Sequence, residues 1–479
     1  MAEHIVTDIC VIGAGSAGLS VAAGASQMGA PTVLIEGHKM GGDCLNYGCV
    51  PSKALLAAGK LAVHGTDAGV DGAAFGVRIQ RPQVDFRRVH DHVHGVIGAI
   101  ASHDSVERFE GLGVRVIRAK ARFTGAQEVA AGDAIVRARR FVVATGSAPA
   151  VPPIPGLAET SYLTNESVFD RTEPPDHLIV IGGGPIGLEL AQAHRHLGAA
   201  VTVLEMATVL AKDDPELADF VRRRLISEGV ALREGVKVVR VEPAGGGVAV
   251  VLAGKDGAEE RLEGSHLLVA TGRKANVGDL DLDRAGIKHS AKGIEVDARL
   301  RTSNRRVFAI GDVAGGYQFT HIAGYHAGIV IRNALFRLPA RVDYRAVPWV
   351  TYTAPELANV GLTEADAAKQ HGAIRVLRWS FHENDRAQAE RMTDGMIKVI
   401  TKPNGLILGA GIVGPHAGEL IQLWGLAIQQ GLKIGAIAGM IAPYPTLGEV
   451  SKRAAGSFYT PSLFSERTRK IVRFLARFG

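Results

Sequence analysis

Cys44 and Cys49 stand in the run Gly41-Gly42-Asp43-Cys44-Leu45-Asn46-Tyr47-Gly48-Cys49-Val50-Pro51-Ser52-Lys53. Two thiols separated by four residues, at the expected start of a helix, can close a disulfide and reopen it. The partial positive charge of a helix N-terminus favours the thiolate that does this chemistry. The chain holds three cysteines, and the third, Cys10, falls in an apolar strand ahead of a glycine turn. So few cysteines argue against a structural disulfide framework. A redox dithiol is the better reading, with two inert buried thiols as the alternative.

A redox dithiol needs an electron source, and a repeated motif offers one. Gly13-x-Gly15-x-x-Gly18 follows an expected strand over Ile9–Ile12 and opens an alanine-rich helix; a second expected strand, Thr32–Ile35, runs into Glu36. Gly182-x-Gly184-x-x-Gly187 follows Leu178–Ile181, and Val201–Leu204 runs into Glu205. In both, the acid lies 23 residues after the first glycine. This is the pattern of a strand-helix-strand unit for a dinucleotide. The glycines admit the pyrophosphate to the helix N-terminus, and the carboxylate accepts from ribose hydroxyls. A nicotinamide delivers a hydride that a flavin can accept and pass on. The first unit directly precedes the cysteines and is assigned FAD; the second is assigned NAD. A carboxylate at Glu205 suits a free 2′-hydroxyl and repels a 2′-phosphate, so NADH is expected over NADPH.

The elements that position these residues require more than one core, and 479 residues allow two to four domains. Hydrophobic residues at 47% and charged residues at 21% make an ordinary globular balance. The formal net charge is +6, but the basic residues are dispersed except at the C-terminus, which gives nucleic acid binding little support. No apolar run is long enough to span a bilayer. The N-terminus runs straight into a strand without a secretory pattern, so a reducing cytoplasm is expected.

Further short runs follow in order: Ala144-Thr145-Gly146, Ala270-Thr271-Gly272-Arg273 and Ala309-Ile310-Gly311-Asp312. Together with the cysteine run, whose Pro-Ser-Lys ending is specific, they resemble the flavoprotein disulfide reductases over nearly the whole chain. That is the family of dihydrolipoyl dehydrogenase, glutathione reductase and mercuric reductase. The resemblance implies an α/β fold with two Rossmann-like dinucleotide-binding domains and a C-terminal α+β dimerisation domain. Residues 1–150 and 271–345 would form the FAD domain with the redox disulfide. Residues 151–270 would form the NAD domain, and 346–479 the interface domain of a homodimer. It also implies that Asp312 meets the ribityl chain of FAD, and that Lys53 sits by the flavin paired with Glu189. Gly42, Ala121, Thr145, Gly146, Gln318, Phe319, Thr320 and His321 join the expected FAD contacts, and Gly272 joins the nicotinamide site. Asp43 departs from the threonine common in the family, and a carboxylate beside a pyrophosphate has no explanation at this level.

The family uses a His–Glu pair near the C-terminus to move the proton of thiol–disulfide exchange. Here the matching run is Ala442-Pro443-Tyr444-Pro445-Thr446-Leu447-Gly448-Glu449. Glu449 is kept, and Tyr444 replaces the histidine. A phenol with a pKa near ~10 is a poor base at neutral pH. The sequence therefore reads as a reductase passing electrons to a disulfide-type substrate, as in dihydrolipoyl dehydrogenase, with ordinary dihydrolipoamide oxidation impaired. The alternative is a metal-ion or small-oxidant reductase like the mercuric enzymes, which also place tyrosine before that glutamate. Against it, the chain ends Phe474-Leu475-Ala476-Arg477-Phe478-Gly479 without their cysteine pair. A third reading is a docked redox sensor.

Other features have plainer readings. His90, His92 and His94 lie on an expected helix with His103 beyond it; His90 and His94 share a face, Asp91 points elsewhere, and a solvated face is expected rather than a metal. His416 is expected to be structural. Phe464, Thr468, Ile471, Leu475 and Phe478 make one helical stripe flanked by Arg467, Arg469, Lys470, Arg473 and Arg477. Residues 464–479 are expected to cover the dimer surface, with a membrane-surface or protein partner as the sharper alternative.

Overall fold

The computed structural model describes residues 2–63, 75–77, 82–254 and 258–478. The first sheet has four parallel strands in the order Val114–Ile117, Thr32–Ile35, Glu3–Ile12 and Ala134–Val143, continued antiparallel by Glu128–Ala131 and Ala121–Gly125. Cys10 pairs with Val33 on one side and Phe141 on the other, and Cys10, Val11 and Ile12 are buried on both faces. Apolar residues in sequence rather than in alternation are what a strand covered on both sides requires. Only the half of Glu3–Ile12 nearer the glycine turn is so covered; the half before it is largely exposed.

A strand from far along the chain completes this sheet. Val307–Ala309 pairs in parallel with Ala134–Val143. It delivers the next turn, Gly311–Ala314, to the mouth of the first glycine motif. His326 holds that turn: its Nδ1 accepts from the Gly311 amide at 3.1 Å, so its Nε2–H faces the Tyr344 hydroxyl at 2.7 Å. Burial lowers the His326 pKa to about 4 and keeps the ring neutral for this task.

The second unit repeats the plan with four parallel strands in the order Ala231–Glu234, Ala200–Glu205, His177–Ile181, His266–Val269. A three-stranded antiparallel sheet over 238–264 packs beside it. Ser147–Pro149 and Arg273–Ala275 pair antiparallel where the chain leaves the first unit and returns to it.

Residues 348–414 form a five-stranded antiparallel sheet covered by helices. It is joined to the second unit by charge. Lys398, 4% exposed at its side chain, lies 2.7 Å from Asp214, 2.9 Å from Glu216 and 2.6 Å from Glu364. Asp214 also caps the helix Pro215–Ser227 through the Glu216 amide.

Candidate functional site

The two glycine turns fold alike because the same contacts force them. Gly13 has φ +105° and Gly182 φ +115°, and a Cβ on either would fall 2.4 Å from a carbonyl oxygen, of Ala144 and Ala270 respectively. The Ala-Thr-Gly runs are therefore the strand ends against which the turns close. Gly18 and Gly187 pack onto the carbonyls of Gly13 and Gly182; they set the helix against the turn and do not line the cavity. Gly15 and Gly184 differ. A Cβ at Gly184 would meet nothing within 4 Å, and one at Gly15 only the Cα of Gly42 at 3.8 Å. Space, not packing, is what these positions preserve.

Both helices, Ser16–Gln27 and Pro185–His196, start without a side-chain cap. The amides of their first turns, apart from Pro185, which has none, are left free for a ligand, the arrangement that binds phosphate. The acids repeat as well. Glu36 accepts from the amides of Ala14 and His38, both at 2.6 Å, and Glu205 from those of Gly183 and Ala207 at 2.8 and 2.9 Å. Each carboxylate is thus fixed at the rim of its cradle.

Between the cradles runs one continuous cavity of about 2370 Å³. Its walls include Gly13, Gly15, Glu36, Gly42, Ala121, Thr145, Gly146, Asp312 and Gln318 to His321 from the first unit. Gly182, Gly184, Glu189, Glu205 and Gly272 come from the second, and Cys44, Cys49 and Lys53 lie between them. An extended dinucleotide on each side fits this volume, the uncapped helix starts and the open glycines.

Cys44 lies in the short helix Gly42–Asn46, and Cys49 is the first residue of Cys49–Val63. Both thiols are free. The Cys49 pKa is lowered to about 6, first by a hydrogen bond from Cys44, then by the Thr320 hydroxyl and the Lys53 charge, against an opposing effect of burial. The Thr320 Oγ1 is 3.4 Å from its sulfur. Cys44, as the donor to that thiolate, is pushed up. One sulfur is a thiolate at neutral pH and the other keeps its proton. Cys10 is wholly buried, and burial pushes its thiol up, leaving it inert.

Lys53 Nζ lies 2.7 Å from Glu189 Oε2. Glu189 is 5% exposed, and its other oxygen accepts from the Tyr352 amide at 2.9 Å. The Tyr352 ring covers the ammonium, 4.2 Å from its centroid. Tyr352 was not among the expected site residues, although it ends the run Val347-Pro348-Trp349-Val350-Thr351-Tyr352 that opens the third part of the chain.

Asp43 finds its explanation in two remote partners. Its carboxylate lies 3.1 Å from Arg273 and accepts from Asn165 at 3.1 Å, while Asn165 also donates to the Tyr47 carbonyl. Arg273 in turn donates to the Ser147 hydroxyl at 2.7 Å, which donates to Asp312 at 2.5 Å. Burial raises the Asp312 pKa. The cysteine loop is thereby tied to Arg273 and Asn165, residues the sequence reading left out of the site.

Tyr444 and Glu449 do not line this chain's cavity. Tyr444 is 69% exposed, and its hydroxyl donates to Asp385 at 2.9 Å rather than to Glu449. That bond, with the Asp385 charge behind it, raises the phenol pKa above its ordinary value. The phenol is thus paired with Asp385, and the neighbouring Asn384 ties the same loop by donating to the Thr446 carbonyl.

The histidine helix also differs in detail. Asp91 does not point elsewhere: its carboxylate is 3.0 Å from His90 Nδ1, while His94 Nε2 meets the Phe169 carbonyl at 3.1 Å. Among the described residues no three His, Cys, Asp or Glu side chains form a metal cluster. His416, exposed with φ +55°, precedes the turn Ala417–Leu420.

Residues 7–327 match the family described as pyridine nucleotide-disulphide oxidoreductase, and 347–455 match its dimerisation domain. A mercuric reductase from Staphylococcus aureus is 35% identical over 454 residues, spanning 94% of this chain and 82% of its own. A dihydrolipoyl dehydrogenase from Thermus scotoductus is 36% identical over 471 residues, spanning 95% and 98%. Among solved structures, the Cu(II) complex of the HOCl-induced flavoprotein disulfide reductase RclA from Escherichia coli aligns with a TM-score of 0.83. It is 27% identical and covers 93% of this chain and 99% of that one.

Proposed function

This chain belongs to the pyridine nucleotide-disulphide oxidoreductases, and we propose that it moves electrons from NADH through FAD into Cys44–Cys49 and on to a small acceptor. The observation that carries this reading is the single cavity holding both dinucleotide cradles, the Lys53–Glu189 pair and the two thiols. Gly13, Gly15, Glu36 and Asp312 would hold FAD, which would supply the means to take a hydride and return an electron pair to sulfur. Two electrons and one proton turn the closed disulfide into the Cys44 thiol and the Cys49 thiolate. Thr320 and Lys53 hold the negative charge on Cys49, and Glu189 keeps Lys53 aimed. Cys44 meets the acceptor. NADH is the donor because the Glu205 carboxylate suits a free 2′-hydroxyl, and Met206-Ala207-Thr208, which follow it, carry no positive charge. The dimerisation domain supports a homodimer in which Tyr444 and Glu449 of one subunit serve the other's thiols.

A disulfide as acceptor, or its dithiol as donor when the reaction runs in reverse, is the substrate class suggested by the dihydrolipoyl relatives. The Tyr444–Asp385 bond favours a second reading. A phenol held protonated donates a hydrogen bond but does not take a thiol proton, and reduction of a metal ion or small oxidant does not need that step. Steady-state NADH oxidation against lipoamide, quinones and Hg²⁺ separates the two. Native turnover is expected to be poor with lipoamide, and Tyr444→His should raise dihydrolipoamide oxidation by about 10²-fold, the low end of general-base effects. Fast native lipoamide turnover, unchanged by histidine, would show that another base serves the site.

A further inference from the structure

The C-terminal helix Glu466–Leu475 has no buried residue. It lies beyond the matched dimerisation domain, which ends at residue 455. Its start is specified locally: Ser465 caps the Thr468 amide at 3.2 Å, and the Thr468 hydroxyl donates back to the Ser462 carbonyl at 2.7 Å. This cap starts the helix at Glu466, so the expected stripe from Phe464 is part turn and part helix. Its ion pair, Arg469 with Glu466 at 3.7 Å, is also internal. The helix is thus capped and ion-paired through residues 462–469, and none of its side chains is buried against the rest of the chain.

At 100° per residue, Phe474, Ile471, Leu475 and Val472 share one side of the helix. They are 48–59% exposed, and Phe464 and Phe478 extend the apolar surface at either end. Arg469, Lys470 and Arg473 fall on the opposite side, while Arg467 falls between Phe474 and Ile471 at the edge of the apolar side; Arg477 follows beyond the helix end. Residues 464–478 carry five basic side chains against one glutamate. Pairing this helix with its own copy through the apolar side would cover that side but leave the cations without a counter-charge. A layer of anionic headgroups over an acyl interior answers both faces at once: the cations meet phosphate, and the apolar side enters the boundary. No helix among the described residues is long and apolar enough to cross a membrane, so such a contact lies on the surface.

We propose that residues 464–478 form an in-plane anchor that docks this reductase on anionic lipid. The test uses the FAD-loaded full chain sedimented with vesicles of phosphatidylglycerol and phosphatidylcholine, or of phosphatidylcholine alone. At least about ten-fold more protein is expected on the anionic vesicles, with most released by salt near ~0.5 M. Phe474→Ser with Leu475→Ser, and separately Arg469→Glu with Arg473→Glu, should each abolish the difference while NADH oxidation in solution is unchanged. Equal recovery on both vesicle types, or none on either, overturns the proposal. So does a serine variant whose dimer dissociates in sedimentation equilibrium, because the face then belongs to a second copy. Retained flavin absorbance shows that a variant is folded, and the charge variant leaves the apolar face intact. These outcomes are independent of which acceptor Cys44 serves.

Discussion

The two dinucleotide cradles share a backbone and diverge in side chains. Both have a strained first glycine closing on an Ala-Thr-Gly strand end, an uncapped helix and a glutamate tied to two amides. Five residues after the second glycine, the first cradle has Ser20, exposed and bonded to its own helix at the Ser16 carbonyl. The second has Glu189, buried and reaching across to Lys53. After its second strand, the first cradle continues into the thiol loop. The second continues into the turn that leads to Asp214 and the C-terminal sheet. The fold builds the same cradle twice, and the side chains beside it differ: a thiol loop follows one copy, and a buried carboxylate stands in the helix of the other.

The strongest way to break this asymmetry is at the thiolate. Cys49→Ser removes the charge beside Lys53 and Thr320. Anaerobic NADH reduction should then give no long-wavelength band, and turnover should fall by at least about 10³-fold. In the native protein the band should fade as pH drops through about 6, because the thiolate is protonated below its lowered pKa. A band that persists in the serine variant would move the assignment to Cys44.

The nucleotide side is sharpened at Glu205. Glu205→Ala is expected to narrow the ratio of kcat/KM for NADH over NADPH by about ten-fold, and Glu205→Arg to reverse it. A native preference for NADPH would remove the argument from the ribose carboxylate. The smallest effect is expected at Asp43. Its charge opposes the Cys49 thiolate, so Asp43→Asn should move the midpoint of the long-wavelength band to lower pH by a few tenths. A midpoint that rises instead would mean that the tie to Arg273 matters more than the charge.

The glycine spacing, the acids and the strands around them were legible in the sequence because each is dictated within a short stretch. Thr32–Ile35 is a strand as expected, and Glu36 and Glu205 stand at matching places. The first strand reaches back to Glu3 because it pairs with Ala134–Val143 along its whole length, and its exposed half carries no apolar run that would announce this. Lys53 and Glu189 are 136 residues apart; no local pattern joins them, and the family resemblance pointed to the pair. Nothing comparable led to Asp385 as the partner of Tyr444, or to Arg273 and Asn165 as partners of Asp43. Those contacts come from separate elements meeting in space, and a polar residue leaves no periodicity to betray which neighbour it will meet.

Lys398 bears on modularity. The C-terminal sheet reads as a separable part of the chain, with its own hydrophobic core. Yet the lysine buried in one of its strands is neutralised by Glu364 from its own part and by Asp214 and Glu216 from the nucleotide-binding one. Cut away from that unit, Lys398 would keep one acid where it now has three and lose the cover that Asp214 and Glu216 give it. Breaking a buried ion pair by removing one partner is costly, so these contacts couple the stability of the two parts. Exchange of this sheet among relatives is thus constrained by a counter-charge that lies outside the exchanged segment.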